Sequence, residues 1–532
     1  MRLMFSSHGQ LHKNIARAFL GLILLFSSSS RRFALAAKDR KRGEQLAETL
    51  TFVTQGRFKE ADALISSLLS RHHRDGAIYE VLGRVRDAEK RYDEAEIAYK
   101  KAMEIEPQSP APHVSLGVSY LRRDEPERAV QQFHVALAKD PKNLTAVTDL
   151  GSVELDLKNY TEAAKCYQLA KGLAPGDPTI LLGLATAYFG EDKQVAAIRI
   201  ASILSRLPRA GPPLHFSVGL LLAQHGVYQQ ASTEFEKVVA AGVNSPELFL
   251  NLGLAYSKLE RYDEAKTNYF KAIELDPSDP VPYLRLGTDY LAENRVPLAL
   301  VWLMRTVKMS PDQPEALYLL GTALVKEKYF ETAQTYLEKY VELKPEDPKG
   351  WLTLGDAYLN FEEFEKALAS YQKALVLVPQ LPGAHYLVGL AEFILQRLPE
   401  AKTQMLETIT LDPSYGEAHL RLGEIAYREN RYDEAIKQLR LVLSNHPLDS
   451  EANDDLAEVY LRIGRYTEAV RLLAGVELRY PDDVKVHNLL AQLYFKRGDF
   501  RNAKREESLL GAIKQTQEFD RQFTQHSSIY VQ

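Results

Sequence analysis

The sequence predicts an all-α fold in which similar pairs of helices are stacked along the chain. Three observations lead to this prediction: alanine, glycine and proline each recur with a period of 34 residues. A period of roughly 20 to 50 residues is typical of repeat architectures rather than of a single globular core. Alanine occupies one phase of this period fourteen times, at Ala61, Ala95, Ala129, Ala163, Ala197, Ala231, Ala265, Ala299, Ala333, Ala367, Ala401, Ala435, Ala469 and Ala503.

Glycine and proline lie at fixed distances from this alanine. Glycine recurs twelve residues before it, at Gly83, Gly117, Gly151, Gly219, Gly253, Gly287, Gly321, Gly355, Gly389 and Gly423. Proline recurs twelve residues after it, at Pro107, Pro141, Pro175, Pro277, Pro311, Pro345, Pro379, Pro413, Pro447 and Pro481. The frame continues without an insertion from Arg42 to about Thr516. Within these 532 residues there is no room for a second folded domain of typical size.

The sequence of each 34-residue unit predicts two amphipathic helices. In the unit 246–279 the first helix reads PELFLNLGLAYSKLE, and the turn and second helix read RYDEAKTNYFKAIELDP. Asp263 is the candidate N-cap of the second helix, and Pro277 is expected to end it. A glycine inside a helix costs ~1 kcal/mol relative to alanine, so its recurrence indicates that two helices approach closely there. Because one pair cannot bury both of its faces, the units must stack on one another.

On these residues the chain resembles the tetratricopeptide repeat family. The family pattern is W-x₂-L-G-x₂-Y, followed by A-x₃-F, A and P. It is matched almost whole by Trp351, Leu354, Gly355, Tyr358, Ala367, Tyr371, Ala374 and Pro379. The resemblance implies a right-handed superhelical solenoid of antiparallel helix pairs, with about 14 repeats over residues 38–517. It also implies that the first helices of successive repeats line a concave groove.

Two consecutive units depart from the pattern. The unit 178–211 has Ala185 in place of the recurrent glycine, and it has no proline at the position where the other units close. The next unit has Val243 at that closing position. We therefore expect a local irregularity at 178–245, which is either drift in two repeats or a hinge between two arms. The first unit (42–75) and the last (484–517) are also atypical, as terminal caps should be. Residues 518–532 are predicted to be a polar tail.

The N-terminal residues differ from the rest of the chain. Residues 1–38 contain no Asp or Glu, and residues 18–26 form an apolar run that is too short to span a bilayer as a helix. Ala34-Leu35-Ala36 fits a small-x-small cleavage site. We expect residues 1–37 to be a signal peptide or leader, so that the mature chain is exported, periplasmic or secreted, and has no integral membrane span. Because Arg31-Arg32 separates the run from the cut, an organelle transit peptide and an uncleaved cytoplasmic chain stay open.

Composition and motifs argue against several kinds of chemistry. The net charge of −5 disfavours nucleic acid as a partner. A single cysteine, Cys166, excludes an intramolecular disulfide and a cysteine-based zinc site. The metalloprotease, nucleophile-elbow and phosphate-loop motifs are absent from the sequence. We therefore expect that the chain is not an enzyme and that it uses no cofactor and no metal.

The histidines leave open the alternative that the chain has a catalytic or metal site. Five histidines occupy the phase where other repeats have Trp351 or Tyr283, and this phase predicts aromatic packing within a unit. They are His113, His215, His385, His419 and His487. His385 and His419 fall in adjacent repeats and could lie near each other. An enzyme site at this pair is the third hypothesis that we keep open.

If the first helices line a groove, the residues that face into it occupy the same position in every repeat. Side chains four residues apart share a helix face, so two phases were combined. They give the candidate partner-binding residues Phe216, Leu220, Leu250, Leu254, Leu284, Tyr318, Leu352, Asp356, Tyr386, Leu390, Leu420 and Glu424. An apolar strip of this length is typical of an interaction surface. The alternative is that some of these residues pack against neighbouring helices.

We therefore expect a non-catalytic scaffold that binds a peptide or a partner protein in the groove, with a cell-envelope complex as one setting. A self-assembling structural array, which would be a homo-oligomer, is a second hypothesis. A further alternative is a repeat subunit of a polysaccharide export or glycosyl-transfer machine without its own catalytic domain. Such sugar-transferring enzymes carry a ladder of asparagines one residue before the recurrent Leu-Gly. In the repeats from Val81 to Thr353, only Asn251 is an asparagine at this position, so the ladder is absent.

Overall fold

The computed structural model describes residues 37–208 and 210–527, and side chains are described for residues 42–208 and 210–518. Within these ranges the chain forms 28 α-helices joined by short turns, and no strand. The predicted leader, residues 1–37, lies outside the described residues except for Ala37, which begins the first helix. The 28 helices form fourteen consecutive pairs, and the chain divides into two compact units after Pro277.

The first unit contains pairs 1 to 7, and the two helices of each pair pack against each other. The bounds of these pairs, in order, are Ala37–Thr54 with Phe58–Arg71, Gly76–Ala88 with Tyr92–Ile105, Ala111–Arg122 with Pro126–Lys139, Leu144–Asp156 with Tyr160–Leu173, Pro178–Gly190 with Gln194–Ser205, Pro212–Gln224 with Tyr228–Ala240, and Pro246–Lys258 with Tyr262–Leu275.

The second unit contains pairs 8 to 14, which pack in the same way. Their bounds are Pro280–Ala292 with Val296–Met309, Pro314–Lys326 with Phe330–Leu343, Pro348–Asn360 with Phe364–Leu377, Pro382–Ile394 with Leu398–Leu411, Gly416–Arg428 with Tyr432–Asn445, Ser450–Arg462 with Tyr466–Arg479, and Val484–Lys496 with Phe500–Ser527. The predicted all-α stack of antiparallel helix pairs is therefore confirmed.

The turn between the two helices of a pair is the same throughout the described chain. One residue in each of the fourteen turns has a positive φ, and only four of these residues are glycine. In pair 7 this residue is Glu260, and the backbone N–H of Arg261 donates to the carbonyl of Tyr256 at 3.0 Å. This bond closes the end of the first helix as in a Schellman motif. Because most of these positions are Lys, Asp, Asn, Glu or Gln, glycine patterns in the sequence did not reveal the turn.

The second helix of pair 7 starts at a different residue from the one predicted. The second helix of pair 7 begins at Tyr262 with Arg261 as its N-cap residue, so the prediction that Asp263 is the N-cap was wrong. Asp263 lies in the first turn, where a carboxylate interacts favourably with the helix dipole. The helix ends at Leu275, just before Pro277, as predicted.

The recurrent glycine and alanine let the two helices of a pair approach closely. A methyl group added to Gly253 would lie 2.5 Å from the ring of Tyr269, and one added to Gly355 would lie 2.3 Å from the ring of Tyr371. The fourteen recurrent alanines are all buried, each at most 3% exposed. The space that glycine leaves on the first helix is thus filled by a large side chain of the second helix.

Pairs 5 and 6 differ from their neighbours in helix length. Their second helices have 12 and 13 residues, whereas those of pairs 4 and 7 have 14. Six residues, 206–211, connect pair 5 to pair 6, and Gly242 with a φ of 82° follows the second helix of pair 6. This segment lies inside the range 178–245, where the sequence departs from the repeat pattern.

The last helix is longer than the others. It runs from Phe500 to Ser527, 28 residues, and so continues beyond the repeat frame into the predicted polar tail 518–532. In the described part of the chain, no helix combines the length and the apolar character that crossing a membrane requires.

Two glycine substitutions test the close approach. Gly253→Ala should lower the free energy of unfolding by about 1–3 kcal/mol, because the new methyl group overpacks against Tyr269. Gly475→Ala, on an exposed helix position with open space around it, should raise this free energy by ~0.5–1 kcal/mol through helix propensity. Urea denaturation followed by circular dichroism measures both changes. Equal effects of the two substitutions would contradict the packing role of Gly253.

Candidate functional site

In each unit several first helices of successive pairs are in contact. Direct contacts join the first helices of pairs 6 and 7 in the first unit, and those of pairs 9 and 10 and of pairs 12 and 13 in the second. Among the described helices, second helices of neighbouring pairs do not make contacts of this extent. The solvent-facing side of the adjoining first helices therefore forms one surface in each unit, which we call the first-helix face.

In the first unit the four predicted groove residues lie on this face. Phe216, Leu220, Leu250 and Leu254 are all partly exposed. The ring of Phe216 packs against Phe235, with the ring centroids 5.6 Å apart. These residues belong to pairs 6 and 7 and add a short apolar strip to the first unit.

In the second unit six of the eight predicted residues are partly exposed on the face: Tyr318, Leu352, Asp356, Tyr386, Leu390 and Glu424. The other two are corrections to the predicted groove. Leu284 is 0% exposed and Leu420 is 5% exposed, because both pack into the hydrophobic core between helices. They cannot contact a ligand on the surface, so the alternative of packing against neighbouring helices applies to these two residues.

Second helices and links hold the aromatic residues of the face in place. The rings of Tyr318 and Tyr340 lie 5.1 Å apart, and so do the rings of Tyr386 and Tyr415. Tyr318 and Leu352 pack with one side against the buried core of pairs 8 to 11. The side chains of the face are therefore set in position by the core before any ligand arrives.

The structure adds charged residues to the face that the predicted set omits. Arg421 Nη1 donates to Glu424 Oε2 at 2.6 Å and to Glu451 Oε1 at 2.8 Å, which joins the first helices of pairs 12 and 13. Arg421 stands 34 residues after Leu387, at the repeat position directly before the Leu-Gly pair, where the asparagine ladder of sugar-transferring enzymes lies. The sequence signal for Arg421 is a charged residue at this repeat position, where the preceding repeats have Leu319, Thr353 and Leu387.

Pair 13 continues this charged end. Asp454 is 3% exposed, and its Oδ2 lies 3.2 Å from Lys485 Nζ, whereas its Oδ1 has no hydrogen-bond partner. Asp455 Oδ2 is also buried without a partner. Burial raises the pKa of Asp455 to about 7, and the nearby acids Glu424, Glu451 and Glu458 add to the rise, which Lys485 opposes.

The histidines of the aromatic phase connect helices by hydrogen bonds. His385 Nδ1 lies 2.8 Å from Gln404 of the second helix, and Nε2 lies 3.0 Å from the carbonyl oxygen of Pro379 in the preceding link. His419 makes the same two contacts one repeat later. Trp351 reaches the corresponding proline carbonyl, with Nε1 donating at 2.9 Å. Within the described residues no contact joins His385 to His419, so the structure does not bring these two together as a site.

His487 is the charged version of this bridge. Its Nδ1 lies 2.7 Å from Glu506 Oε2 and its Nε2 lies 2.7 Å from the carbonyl oxygen of Pro481, and both partners only accept. Burial lowers the pKa of His487, but these hydrogen bonds outweigh it and raise the pKa above its ordinary value. Glu477 completes a group whose possible metal-ligand atoms lie within 4.8 Å of one another. A metal ion there would have to displace the bond between His487 and Glu506.

A cleft of about 230 Å³ lies between the second helix of pair 5 and pair 6. Its acid, Glu234, accepts hydrogen bonds from Ser205 at 2.8 Å and from Lys237 at 2.7 Å, and it pairs with His215 at 2.7 Å. These four polar groups satisfy one another.

Family comparisons agree with this architecture. Models described as tetratricopeptide repeat together match more than half of the chain, at residues 46–110, 114–178, 246–279, 352–414, 386–450 and 442–493. The chain belongs to the tetratricopeptide repeat (TPR) family. The model of the anaphase-promoting complex, cyclosome, subunit 3 also matches this TPR chain, at residues 293–374.

Curated relatives match only part of the TPR array. The chain is 27% identical over 184 residues to the BBSome complex member BBS4 of Bos taurus, which is 34% of each protein. It is 29% identical over 119 residues to the protein CTR9 homolog of Arabidopsis thaliana, 21% of this chain and 11% of that protein. It is 32% identical over 71 residues to the type IV pilus assembly protein PilF of Pseudomonas aeruginosa, 13% of this chain and 28% of that protein. The chain thus matches about a third or less of the length of these relatives.

Solved structures resemble the TPR chain in fold alone. The C-terminal part of a TPR repeat-containing protein from Cytophaga hutchinsonii is 21% identical, with a TM-score of 0.40, and the match covers 45% of this chain and 99% of that one. Naa15/Naa10 bound to HypK-THB gives 14% identity and a TM-score of 0.36, covering 89% of this chain and 94% of that one.

One buried acid on a first helix predicts a pH dependence of stability. Asp149 is 7% exposed, its Oδ2 has no partner, and burial raises its pKa to about 7. Because the pKa is raised from 3.8 to about 7, the folded state holds the proton more tightly than the unfolded chain. The stabilisation by the bound proton is therefore fully present below the lower pKa and is lost progressively as pH rises to about 7. Asp149→Asn should therefore raise the free energy of unfolding by roughly 2 kcal/mol or more at pH 8, and by much less at pH 5.

Urea denaturation at the two pH values measures this difference. Asp482→Asn, at an exposed position in a link, is the matched control and should change stability little at either pH. A gain for Asp149→Asn that is the same at pH 5 and pH 8 would contradict the buried ionisation.

Proposed function

We propose that this TPR protein is a non-catalytic interaction scaffold that binds an apolar segment of a partner protein on the first-helix face of its second unit. The observation that carries the proposal is the partly exposed apolar row on that face, Tyr318, Leu352, Tyr386 and Leu390. Tyr318, Leu352 and Tyr386 recur at the repeat period, and Leu390 lies one helical turn after Tyr386, so a bound segment can contact one residue after another. Contiguous exposed apolar side chains are typical of interaction surfaces.

The packing behind the row favours binding. Each side chain has one side against the core or against a ring of a second helix or link, as Tyr386 has against Tyr415 of the link before pair 12. A ligand therefore does not have to order these side chains, and less conformational entropy is lost on binding. Membership of the TPR family, whose members are generally scaffolds, supports the same proposal. The relatives BBS4 and PilF, named as a complex member and an assembly protein, are consistent with a role in assembling a complex.

Peptide selection tests the first-helix face. A phage-displayed library of random dodecapeptides, selected on the immobilised full chain, should yield binders with apolar or aromatic residues. The double variant Tyr318→Asp/Tyr386→Asp should weaken binding of the corresponding fluorescent peptides by roughly tenfold or more, because carboxylates replace the apolar contacts. Fluorescence anisotropy measures the affinities, and circular dichroism verifies that the variant is folded.

A matched control places the same kind of substitution on second helices. Val301 and Val376 are 58% and 78% exposed, and Val301→Asp/Val376→Asp should leave the affinity within about twofold. If the control pair weakens binding and the tyrosine pair does not, the binding surface is on the second helices and the proposal is wrong.

We also propose that the leader, residues 1–37, directs export and that the partner is then a protein of the cell envelope. The apolar run at 18–26 and the small-x-small site at 34–36 support this proposal. Intact-mass measurement of protein expressed with its leader should give a chain that begins near Ala37 or Lys38, in an exported fraction. A full-length chain in the cytoplasmic fraction would overturn the export proposal and leave the binding proposal unaffected.

A further inference from the structure

The first-helix face of the second unit changes from apolar to acidic along the chain. In pair 11 two neighbouring phases of the face carry Leu387 and Leu390. The same phases carry Arg421 and Glu424 in pair 12, and Asp455 and Glu458 in pair 13. All six residues are partly exposed. The face therefore has a mainly apolar part, on pairs 9 to 11, whose one acid, Asp356, accepts a hydrogen bond from Tyr371. This part continues into what we call the acidic end, on pairs 12 and 13.

Negative charge is in excess at the acidic end. Its carboxylates come from Glu424, Glu451, Asp454, Asp455 and Glu458, and Asp483 of the following link adds a sixth that acts on Asp454. The cations beside them are Arg421, Lys485 and Arg462. Arg421 is already engaged by two of the acids, and Lys485 pairs with Asp454. Three cations for six acids leave room for a further positive charge.

Two carboxylate oxygens of the acidic end lack the partner that a buried oxygen requires. Asp454 is 97% buried, and its Oδ1 has no hydrogen bond even though Oδ2 faces Lys485 at the cluster. Asp455 Oδ2 is in the same condition beside it. A buried acceptor without a partner costs about 1–3 kcal/mol, and more when it is charged. A positive charge held by the partly exposed carboxylates of Asp455 and Glu458 would reduce this cost by electrostatic attraction, without contacting the buried oxygens themselves.

The arrangement favours a side-chain cation over a metal ion. Within the described residues, the group whose possible ligand atoms come within 4.8 Å of one another is the one around His487, and the carboxylates of the acidic end do not form such a group. A lysine ammonium or an arginine guanidinium donates several hydrogen bonds over a wider area than one ion can. The adjoining apolar row also requires a ligand that carries apolar side chains.

Resting on the proposed function, we infer that the acidic end binds a lysine or arginine side chain of the same partner segment whose apolar residues lie on pairs 9 to 11. Neighbouring helices pack about 8–10 Å apart, so pairs 11 and 13 are separated by roughly 16–20 Å. An extended chain advances about 3.3 Å per residue. In an extended ligand the basic residue thus stands about five or six residues from the apolar residue that contacts Leu387 and Leu390.

The dodecapeptides selected on the full chain test this inference through their sequences. They should show Lys or Arg enriched about five or six residues from an apolar residue, and their affinity should fall as salt is added. Binding should also strengthen from pH 6 to pH 8, because Asp455 loses its proton in this range while Glu424, Glu451 and Glu458 face it and Lys485 opposes them. Selected peptides that carry no basic enrichment, or that carry acidic residues at this spacing, would overturn the inference.

A variant in which amides replace two carboxylates tests the acidic end independently of the rest of the face. Asp455→Asn/Glu458→Gln should weaken the basic peptides by roughly tenfold, and peptides with Gln in place of the basic residue should bind wild type and variant equally. Asp433→Asn/Glu468→Gln removes two exposed acids from second helices and is the matched control, with an expected change of less than about twofold. An equal loss in the two variants would mean that net charge, and not the acidic end, attracts the peptide.

The two proposals fail in different ways. If binding is lost in Tyr318→Asp/Tyr386→Asp but is unchanged in Asp455→Asn/Glu458→Gln, the scaffold proposal stands and the basic-ligand inference is wrong. If the tyrosine variant also binds normally, the proposed function itself is wrong. Peptide binding that requires added Ca²⁺ would assign the acidic end to a metal ion and would equally overturn the inference.

Discussion

The structure depends on the close packing of two helices within each 34-residue unit. A glycine or other small residue on the first helix admits a large side chain of the second, as Gly253 admits Tyr269, and the recurrent alanine is buried beside them. This contact fixes how the two helices face each other. The pair still has apolar surface left over, which only the next pair can cover, so a single repeat is not a stable fold by itself. Stacking within each unit follows from this constraint.

Hydrogen bonds fix the join between successive pairs more tightly than apolar packing alone. The proline that closes one repeat removes a backbone donor but keeps its carbonyl, and a side chain of the next first helix reaches that oxygen in several repeats. Trp351, His385, His419 and His487 do this with a ring nitrogen. The histidines also bond a Gln or Glu of their own second helix, so each links three segments of chain. A residue type that suggests catalysis thus serves here as a structural bridge.

The same repetition leaves the first-helix face available for a partner. The glycine and alanine phases are committed to packing, whereas the phases that face solvent on the first helices can change from repeat to repeat without disturbing the fold. In the second unit these phases carry leucine and tyrosine beside Asp356 in pairs 9 to 11, and Arg421 with several acids in pairs 12 and 13. A scaffold of this kind can therefore specify its ligand by substitutions at a few surface positions on an unchanged frame.

The sequence alone determined the all-α repeat fold and the boundaries of its 34-residue units. It also determined most of the exposed face. The reason is that helices packed in a regular repeat require residues of the same size at the same position of every unit. Ten of the twelve residues predicted for the groove are partly exposed. The sequence did not reveal the positive-φ turn, because lysine, aspartate, asparagine and glutamate serve there as well as glycine. Only the tertiary structure decided that Leu284 and Leu420 are buried and that Arg421, Asp454 and Asp455 form one charged end. Phase assigns a residue to a side of its helix, but its exposure and electrostatic partners depend on how closely the next helix packs.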